Sequence, residues 1–331
     1  MLEATAGFRV CYVPCALGPP RLITIVRRSR VNSMNEAVSL AGAETTARPK
    51  AVGSGLVPFF ALTFLTSWAI HAALLLFPSI RKISLPGFFW YPANELRELG
   101  LTTEPIVALL ICGGAYAPTA WGIYLTRRYS GTAGLRDLFA RLVRVRVPVV
   151  WLFAAIVLSP LCSTLSAGLA RLFTGQAPEF SPHYLTPQFA LWTMAFGGPL
   201  NEELGWRGFA LPRLLQRRSP LVASVGLGVL WAFWHLPLYF IPDSGKYGGS
   251  FALFLLVVVC MAIFMTAAHL GTRGNLLVAV LFHTSANATA GLWHFTRSSP
   301  LLLLCFVLPW LVVVAAILIC GRASWFTRPS Q

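Results

Sequence analysis

Long apolar stretches separated by short polar connections follow one another along most of this chain. Each stretch is close to the roughly 20 residues that a helix needs to cross a bilayer, and none shows the alternation of a membrane strand. Backbone groups at membrane depth must be satisfied within each segment, so the pattern predicts an all-α, polytopic membrane helix bundle with about eight transmembrane helices. The fourth and seventh stretches are the least uniformly apolar. The predicted spans are 56–77, 105–125, 149–170, 187–211, 221–241, 250–269, 274–292 and 300–320.

The same pattern predicts three parts of the chain. Residues 1–53 are polar and basic, without a signal-peptide pattern, and predict a flexible N-terminal tail. Residues 54–321 predict a transmembrane helical domain, and 322–331 a short C-terminal tail.

Composition supports a membrane protein and excludes a soluble one. The 331 residues are 56% hydrophobic and only 11% charged, whereas a soluble domain has roughly 25% charged residues. The cysteines number seven, are mostly within apolar stretches, and form no CxxC pair. They therefore predict neither a disulfide framework nor a cysteine metal site.

The charge distribution predicts an orientation in the membrane. Lys and Arg number 26 against 11 Asp and Glu, a net charge of +15. Of the 26 basic residues, 19 lie in the N-terminal tail, the C-terminal tail and the connections that share their side of the membrane. Basic residues concentrate on the cytoplasmic side, so both termini are predicted to be cytoplasmic. The same rule accounts for the positive charge without a nucleic-acid partner.

Two adjacent acids stand out because they lie inside an apolar stretch. A charged group near the bilayer centre costs about 2.5–3.5 kcal/mol even on the lenient scales, yet Glu202, Glu203 and Arg207 all occur in the fourth span. Glu203 and Arg207, four residues apart, share a helix face and are predicted to form an ion pair. Glu202 points about 100° away and is left free to act as a general base. The alternative is an interfacial charge cluster at a helix end.

Polar residues in two further spans complete a candidate site. His235 ends a WAFWH run in the fifth span, and His283 and Asn287 share one helix face in the seventh. Glu202 and His235 could hold and deprotonate a water, while His283 and Asn287 donate hydrogen bonds to an oxyanion, which favours hydrolysis of an acyl bond. A packing histidine and a polar helix–helix contact are the alternatives. The other histidines suggest no such role: His71, His183, His269 and His294.

A catalytic zinc is a second possibility for the same residues. Glu202, His235 and His283 would make the three-ligand open site that catalytic Zn²⁺ uses. The HExxH motif is absent, so a metal-free water activated by glutamate is equally compatible. An aspartyl protease mechanism would need two aspartates within the membrane, but the chain has only Asp137 and Asp243, both in predicted connections. A serine protease mechanism is disfavoured because Ser54 has no evident histidine partner.

Three motifs in order resemble a known family. EELGWR at 202–207 matches EExxxR, His235 ends the second motif, and HTSAN at 283–287 matches HxxxN. Together they resemble the CPBP family of intramembrane endopeptidases, which includes CAAX prenyl endopeptidases and bacterial proteins similar to lysostaphin resistance protein A. The resemblance covers about 187–292. The family usually has Phe where this chain has Trp231, for which we expect a packing role.

The resemblance implies an intramembrane endopeptidase that hydrolyses a peptide bond near a membrane anchor. Glu202 and His235 would activate the water, Glu203 and Arg207 would support the site, and the third motif would stabilise the oxyanion. It implies a membrane-anchored protein or peptide as substrate, the lipid bilayer as surroundings, and a bacterial plasma membrane location. Two alternatives stay open: a non-catalytic membrane adaptor or bacteriocin-immunity-type protein, and a proton-coupled transporter, which the absence of inverted repeats disfavours.

Overall fold

The computed structural model describes most of the predicted membrane domain. The predicted N-terminal tail, Ser54 and Asp243 lie outside the described residues. The described ranges are 55–82, 105–175, 178–242, 244, 246–290, 292–294 and 300–327.

Helices dominate the described part of the chain, which confirms the all-α membrane fold. The first group comprises α1 (Leu56–Leu76), α2 (Pro105–Ala115), α3 (Ala117–Val143), α4 (Val149–Thr174) and α5 (Pro187–Phe196). The second comprises α6 (Pro199–Glu203), α7 (Leu211–Leu215), α8 (Pro220–Trp234), α9 (Phe251–Gly271), α10 (Leu276–Ala288) and α11 (Pro300–Gly321). A π-helix (Leu204–Ala210) and short 3-10 turns (Pro78–Lys82, Pro182–Leu185, Leu236–Tyr239, Arg322–Trp325) connect them. Two short antiparallel strands, β1 (Glu179–Phe180) and β2 (Trp293–His294), pair with each other.

Four helices within the described ranges are long and apolar enough to cross a bilayer. They are α1, α4, α9 and the 301–321 part of α11, while α8 and α10 are apolar but shorter. The chain is thus an integral membrane protein, and the number eight stays a prediction. The shorter helices belong to the segments that carry the candidate site residues.

The second predicted span differs from the structure at its C-terminal end. It was expected to end at 125 in a polar connection, but α3 continues to Val143 with a kink at Gly131, where φ is 65°. Hydropathy missed this continuation because Arg127, Arg128 and the following polar residues remain compatible with a helix while ending the apolar run.

The fourth predicted span is one apolar stretch but not one helix. The chain leaves α5 at Gly197 and Gly198, re-enters a helix at Pro199, and then widens into the π-helix. Gly198 has a φ of 122°, in the region that glycine adopts without steric cost. Proline at position 199 fits the first turn of a helix, where its missing N–H is no loss. π-helical turns recur at functional sites, and this one begins directly after the two acids.

Two glycines let the π-helix and α3 touch backbone to backbone. A Cβ at Gly122 would lie 2.8 Å from the Gly205 Cα, and a Cβ at Gly205 would collide with the carbonyl of Pro118. Small residues at such crossings allow close van der Waals packing between membrane helices. This contact fixes the π-helix against the bundle and thereby sets the position of the acids that precede it.

A hydrogen-bonded serine ties α1 to two other helices. The Ser67 hydroxyl donates to the Gly114 carbonyl on α2 at 2.7 Å and accepts from Trp234 Nε1 at the end of α8 at 2.7 Å. Trp68 Nε1 donates to the Trp234 carbonyl at 3.0 Å. The C-terminal end of α8, where His235 follows, is therefore fastened on its α1 side.

Candidate active site

The three charged residues of the fourth segment are buried inside the protein. Glu202, Glu203 and Arg207 are 3%, 0% and 1% exposed, respectively. Such burial keeps the charges away from lipid, and it is tolerated only when each group is paired or hydrogen-bonded. The alternative of an interfacial charge cluster at a helix end does not fit side chains this inaccessible.

Glu203 links Arg207 to His283. Its Oε1 accepts from Arg207 Nη1 at 2.9 Å, which confirms the predicted ion pair, and from His283 Nδ1 at 2.7 Å. The carboxylate accepts, so His283 Nδ1 carries a proton and donates it to this bond. Glu203 thereby orients the His283 ring with Nε2 as its remaining nitrogen. Sequence spacing predicted the first bond but not the second, which spans 80 residues.

Glu202 is held separately, by two tryptophans. Its Oε2 accepts from Trp231 Nε1 at 2.6 Å and from Trp206 Nε1 at 3.3 Å. Glu202 and Trp206 are four residues apart, as are Glu203 and Arg207, so each acid is bonded by a residue one turn later. Because both indoles bind Oε2, the other carboxylate oxygen is not used in these bonds.

Trp231 contacts more members of the site than any pattern in the sequence indicated. Besides its bond to Glu202, its ring lies under the Arg207 guanidinium at 4.2 Å and edge-on to His283 at 5.1 Å. Its carbonyl accepts from His235 Nδ1 at 2.8 Å. A packing role was expected for this position; the ring contacts agree with it, and the hydrogen bond to Glu202 adds a second role. The sequence feature that could have indicated this hydrogen bond is the tryptophan itself, which has an N–H where the family usually has Phe.

His235 lies at the C-terminal end of α8. Its hydrogen bond to the backbone determines which ring nitrogen carries the proton when the ring is neutral. Since the Trp231 carbonyl can only accept, Nδ1 is the donor and Nε2 carries the lone pair. The ring packs against Trp234 at 4.7 Å and Phe254 at 5.1 Å between centroids. No hydrogen bond joins His235 to Glu202 within the described residues; the two meet through Trp231.

The backbone at Gly198 marks the point where three site side chains converge. A Cβ placed there would lie 2.7 Å from Glu202 Oε1, 3.1 Å from Asn287 Nδ2 and 3.2 Å from His283 Cε1. Asn287 Nδ2 also donates to the Gly197 carbonyl at 2.6 Å, so one of its two N–H groups is engaged and the other remains. Glycine at position 198 keeps side-chain atoms out of the space that these groups share.

The candidate zinc ligands do not form a ready-made metal site in this conformation. No three His, Cys, Asp or Glu side chains are grouped to hold a metal anywhere in the described ranges. The bonds above also engage Glu202 Oε2 and the Nδ1 atoms of His235 and His283. These bonds leave Glu202 Oε1 and both Nε2 atoms uninvolved, but within the described ranges the three side chains are not grouped around a common point, and no step of the proposed reaction passes through a metal.

The remaining candidates lie elsewhere. Asp137 pairs with Arg141 at 2.9 Å on a largely exposed part of α3. His71 is buried on α1, and His269 lies in the last turn of α9. His183 and His294 belong to the 3-10 turn Pro182–Leu185 and to β2.

Comparisons with known proteins agree with the motifs. A family model described as Type II CAAX prenyl endopeptidase Rce1-like matches residues 184–289. CAAX prenyl protease 2 of Methanococcus maripaludis is 28% identical over 254 residues, which cover 72% of this chain and 91% of that protein. The residues matched by the family model include the acid pair, His235 and His283, and the fold is that of a helical membrane protein. The family-model match and this relative both support the resemblance to the CAAX (CPBP) family of intramembrane endopeptidases that the motifs indicated.

Proposed function

We propose that the protein hydrolyses a peptide bond near a membrane anchor with a water activated by Glu202 and His235. The observation that carries this proposal is the division of labour between the two oxygens of Glu202. Oε2 is fixed by two indole N–H groups, while Oε1 faces the convergence point at Gly198. A carboxylate held in this way is preorganised to take a proton from a water lying beside it.

The proposed reaction begins with that water. Glu202 Oε1 accepts one of its protons as the oxygen attacks the scissile carbonyl carbon, and His235 Nε2 accepts a hydrogen bond from the other. The carbonyl π electrons move to its oxygen, which becomes the oxyanion. Collapse of the tetrahedral intermediate breaks the C–N bond, and the proton on Glu202 passes to the leaving amine.

The developing oxyanion would be stabilised by His283 and Asn287. The second N–H of Asn287 Nδ2 is available near the convergence point, and His283 donates from Nε2 when both ring nitrogens are protonated. Glu203 Oε1, which lies 2.7 Å from Nδ1, orients the ring for this role. One such donor in a water-poor site contributes roughly 10²–10³ in kcat. Arg207 keeps the negative charge of Glu203 compensated.

The relative, rather than the site itself, supports the proposed substrate class. The matched archaeal protein is called a CAAX prenyl protease, and a CAAX sequence places a lipid-modified cysteine three residues before the chain end. We propose a prenylated, membrane-anchored peptide or protein as substrate here also. Zn²⁺ dependence stays a separate prediction: activity lost to a chelator and restored by Zn²⁺ alone would require the histidines to regroup around an ion.

The test is a comparison of wild type with Glu202→Gln, which keeps the side-chain volume. Purified proteins in vesicles are given a farnesylated peptide with three residues after the cysteine, and new protein termini are mapped in membranes from expressing cells. Cleavage is expected with wild type and its loss with the variant. Asp137→Asn, which removes a largely exposed carboxylate from α3, is the matched control and should remain active. Equal cleavage or identical termini with folded, equally abundant Glu202→Gln would refute the proposal and favour a binding protein.

A further inference from the structure

A lysine next to the candidate site has no part in the mechanism above. Lys246 lies in the connection between the 3-10 turn Leu236–Tyr239 and α9. Ser244 fastens this connection: its hydroxyl donates to the Leu238 carbonyl, and its own carbonyl accepts from the Tyr247 amide at 3.1 Å. The Gly249 amide bonds to the Lys246 carbonyl at 3.1 Å. The lysine therefore extends from a hydrogen-bonded turn.

The ammonium group is one aromatic ring away from His235. Lys246 Nζ lies 4.0 Å from the centre of the Phe254 ring, and that ring is packed edge-on against His235 at 5.1 Å. Tyr239 packs on the same phenylalanine at 5.9 Å. The cation thus lies over an aromatic wall whose other end is the proposed catalytic histidine.

No carboxylate pairs with this cation in the described part of the chain. The ion pairs there involve Asp137 and Glu203 with other partners. Burial lowers the pKa of Lys246 to about 8, against the opposing effect of the Glu202 carboxylate. The group is therefore mostly protonated at neutral pH although partly removed from water, a state that a bound anion would stabilise.

We infer that the Lys246 ammonium, held over Phe254 beside His235, binds a carboxylate of the peptide substrate close to the bond that is cleaved. This inference rests on the proposed function and identifies the part of the substrate that the site recognises. In a peptide the carboxylate has two sources, the chain terminus and an acidic side chain. The aromatic wall suits the apolar residues attached to that carboxylate, because rings provide contact area at low entropy cost.

The experiment compares three farnesylated peptides of the same length. The first ends in a free carboxylate, the second in an amide, and the third in an amide with glutamate as its last residue. Each is given to wild type, Lys246→Met and Lys246→Arg in vesicles of neutral lipid. Arg218→Gln is the control, since Arg218 is exposed and precedes the opposite end of α8.

We expect the free-acid peptide to have a KM about tenfold lower than the amide with wild type, as for one charge-assisted hydrogen bond. Lys246→Met should abolish this preference mainly through KM, whereas Lys246→Arg and Arg218→Gln should keep it. If the third peptide is also preferred, the site accepts a side-chain carboxylate; if not, it requires the chain terminus. Either result supports the anion site.

An acid-to-amide ratio that is the same in wild type and Lys246→Met would overturn the inference and leave the proposed function intact. A Lys246→Met defect that appears only in vesicles with anionic phosphatidylglycerol would assign the lysine to lipid headgroups and also overturn it. If wild type cleaves none of the peptides, the proposed function fails. Fluorescence titration of the acid and amide peptides, with and without Lys246→Met, then decides on carboxylate binding by itself.

Discussion

Replacing Trp231 with phenylalanine tests whether the indole N–H positions the proposed base. The change removes the 2.6 Å bond to Glu202 Oε2 but keeps an aromatic ring under Arg207 and against His283. Phenylalanine is also the residue that the family usually has at this point of the second motif. The variant is therefore expected to fold, and its defect reports on the hydrogen bond more than on packing.

The expected fall in kcat depends on the hydrogen bond that the Glu202 carboxylate still receives in the variant. A hydrogen bond to a charged group contributes about 1.5–3 kcal/mol, which corresponds to roughly 10- to 150-fold in rate. Trp206 Nε1 still donates to the same oxygen at 3.3 Å, so we expect the lower end, a fall of about tenfold in kcat. KM should change little, because Glu202 acts on the water and not on the substrate.

The assay is cleavage of the farnesylated free-acid peptide in neutral vesicles, with kcat and KM determined separately for each variant. Trp206→Phe is the control and should cost less, since its bond is the longer one. Thermal unfolding in detergent verifies that each protein is folded. Wild-type kcat in a folded Trp231→Phe, or a defect confined to KM, would refute the positioning role of the indole.

Three further predictions follow from the same geometry. Arg207→Leu leaves Glu203 buried with His283 as its remaining hydrogen-bond partner, and should destabilise the fold by about 3–5 kcal/mol; an unchanged unfolding temperature in detergent would contradict this. Gly198→Ala puts a methyl group 2.7 Å from Glu202 Oε1 at a φ of 122°, and should lower kcat about 10²-fold; kcat at the wild-type level would refute convergence at Gly198. The free-acid preference should be constant from about pH 5 to pH 7, where the peptide carboxylate is ionised and Lys246 is protonated. It should be lost as the pH rises through the Lys246 pKa of about 8. It should persist at high pH in Lys246→Arg, and its persistence in wild type would contradict the charge mechanism.

The sequence was sufficient to predict contacts between residues that are one helix turn apart. The pairing of Glu203 with Arg207 needed only their four-residue spacing, and the separation of Glu202 from that pair followed from the same geometry. The cost of burying charge correctly singled out this segment, because an apolar stretch rarely contains two acids without a partner.

Contacts between distant residues were beyond such reasoning. The bond from Trp231 to Glu202 spans 29 residues and depends on how α8 crosses the π-helix. The apolar pattern of a sequence indicates which residues are buried, and residues of an α-helix and of a π-helix can be equally buried. The pattern therefore indicated neither the helix break at Gly197 nor the change from α-helix to π-helix after Glu203. The same limit hid the extension of α3, where polar residues continue a helix beyond its apolar part.

The bond that each acid receives from a residue four positions later also bears on how the protein is made. Glu202 and Glu203 emerge from the ribosome together with Trp206 and Arg207, so both carboxylates have a local partner when their segment is transferred to the bilayer. His283 is synthesised 80 residues after Glu203, a delay of roughly 4–16 s at ordinary elongation rates. During that interval the hydrogen bonds from Trp206 and Arg207 already satisfy the two acids. Insertion of this segment therefore does not depend on packing against the helices that are synthesised later.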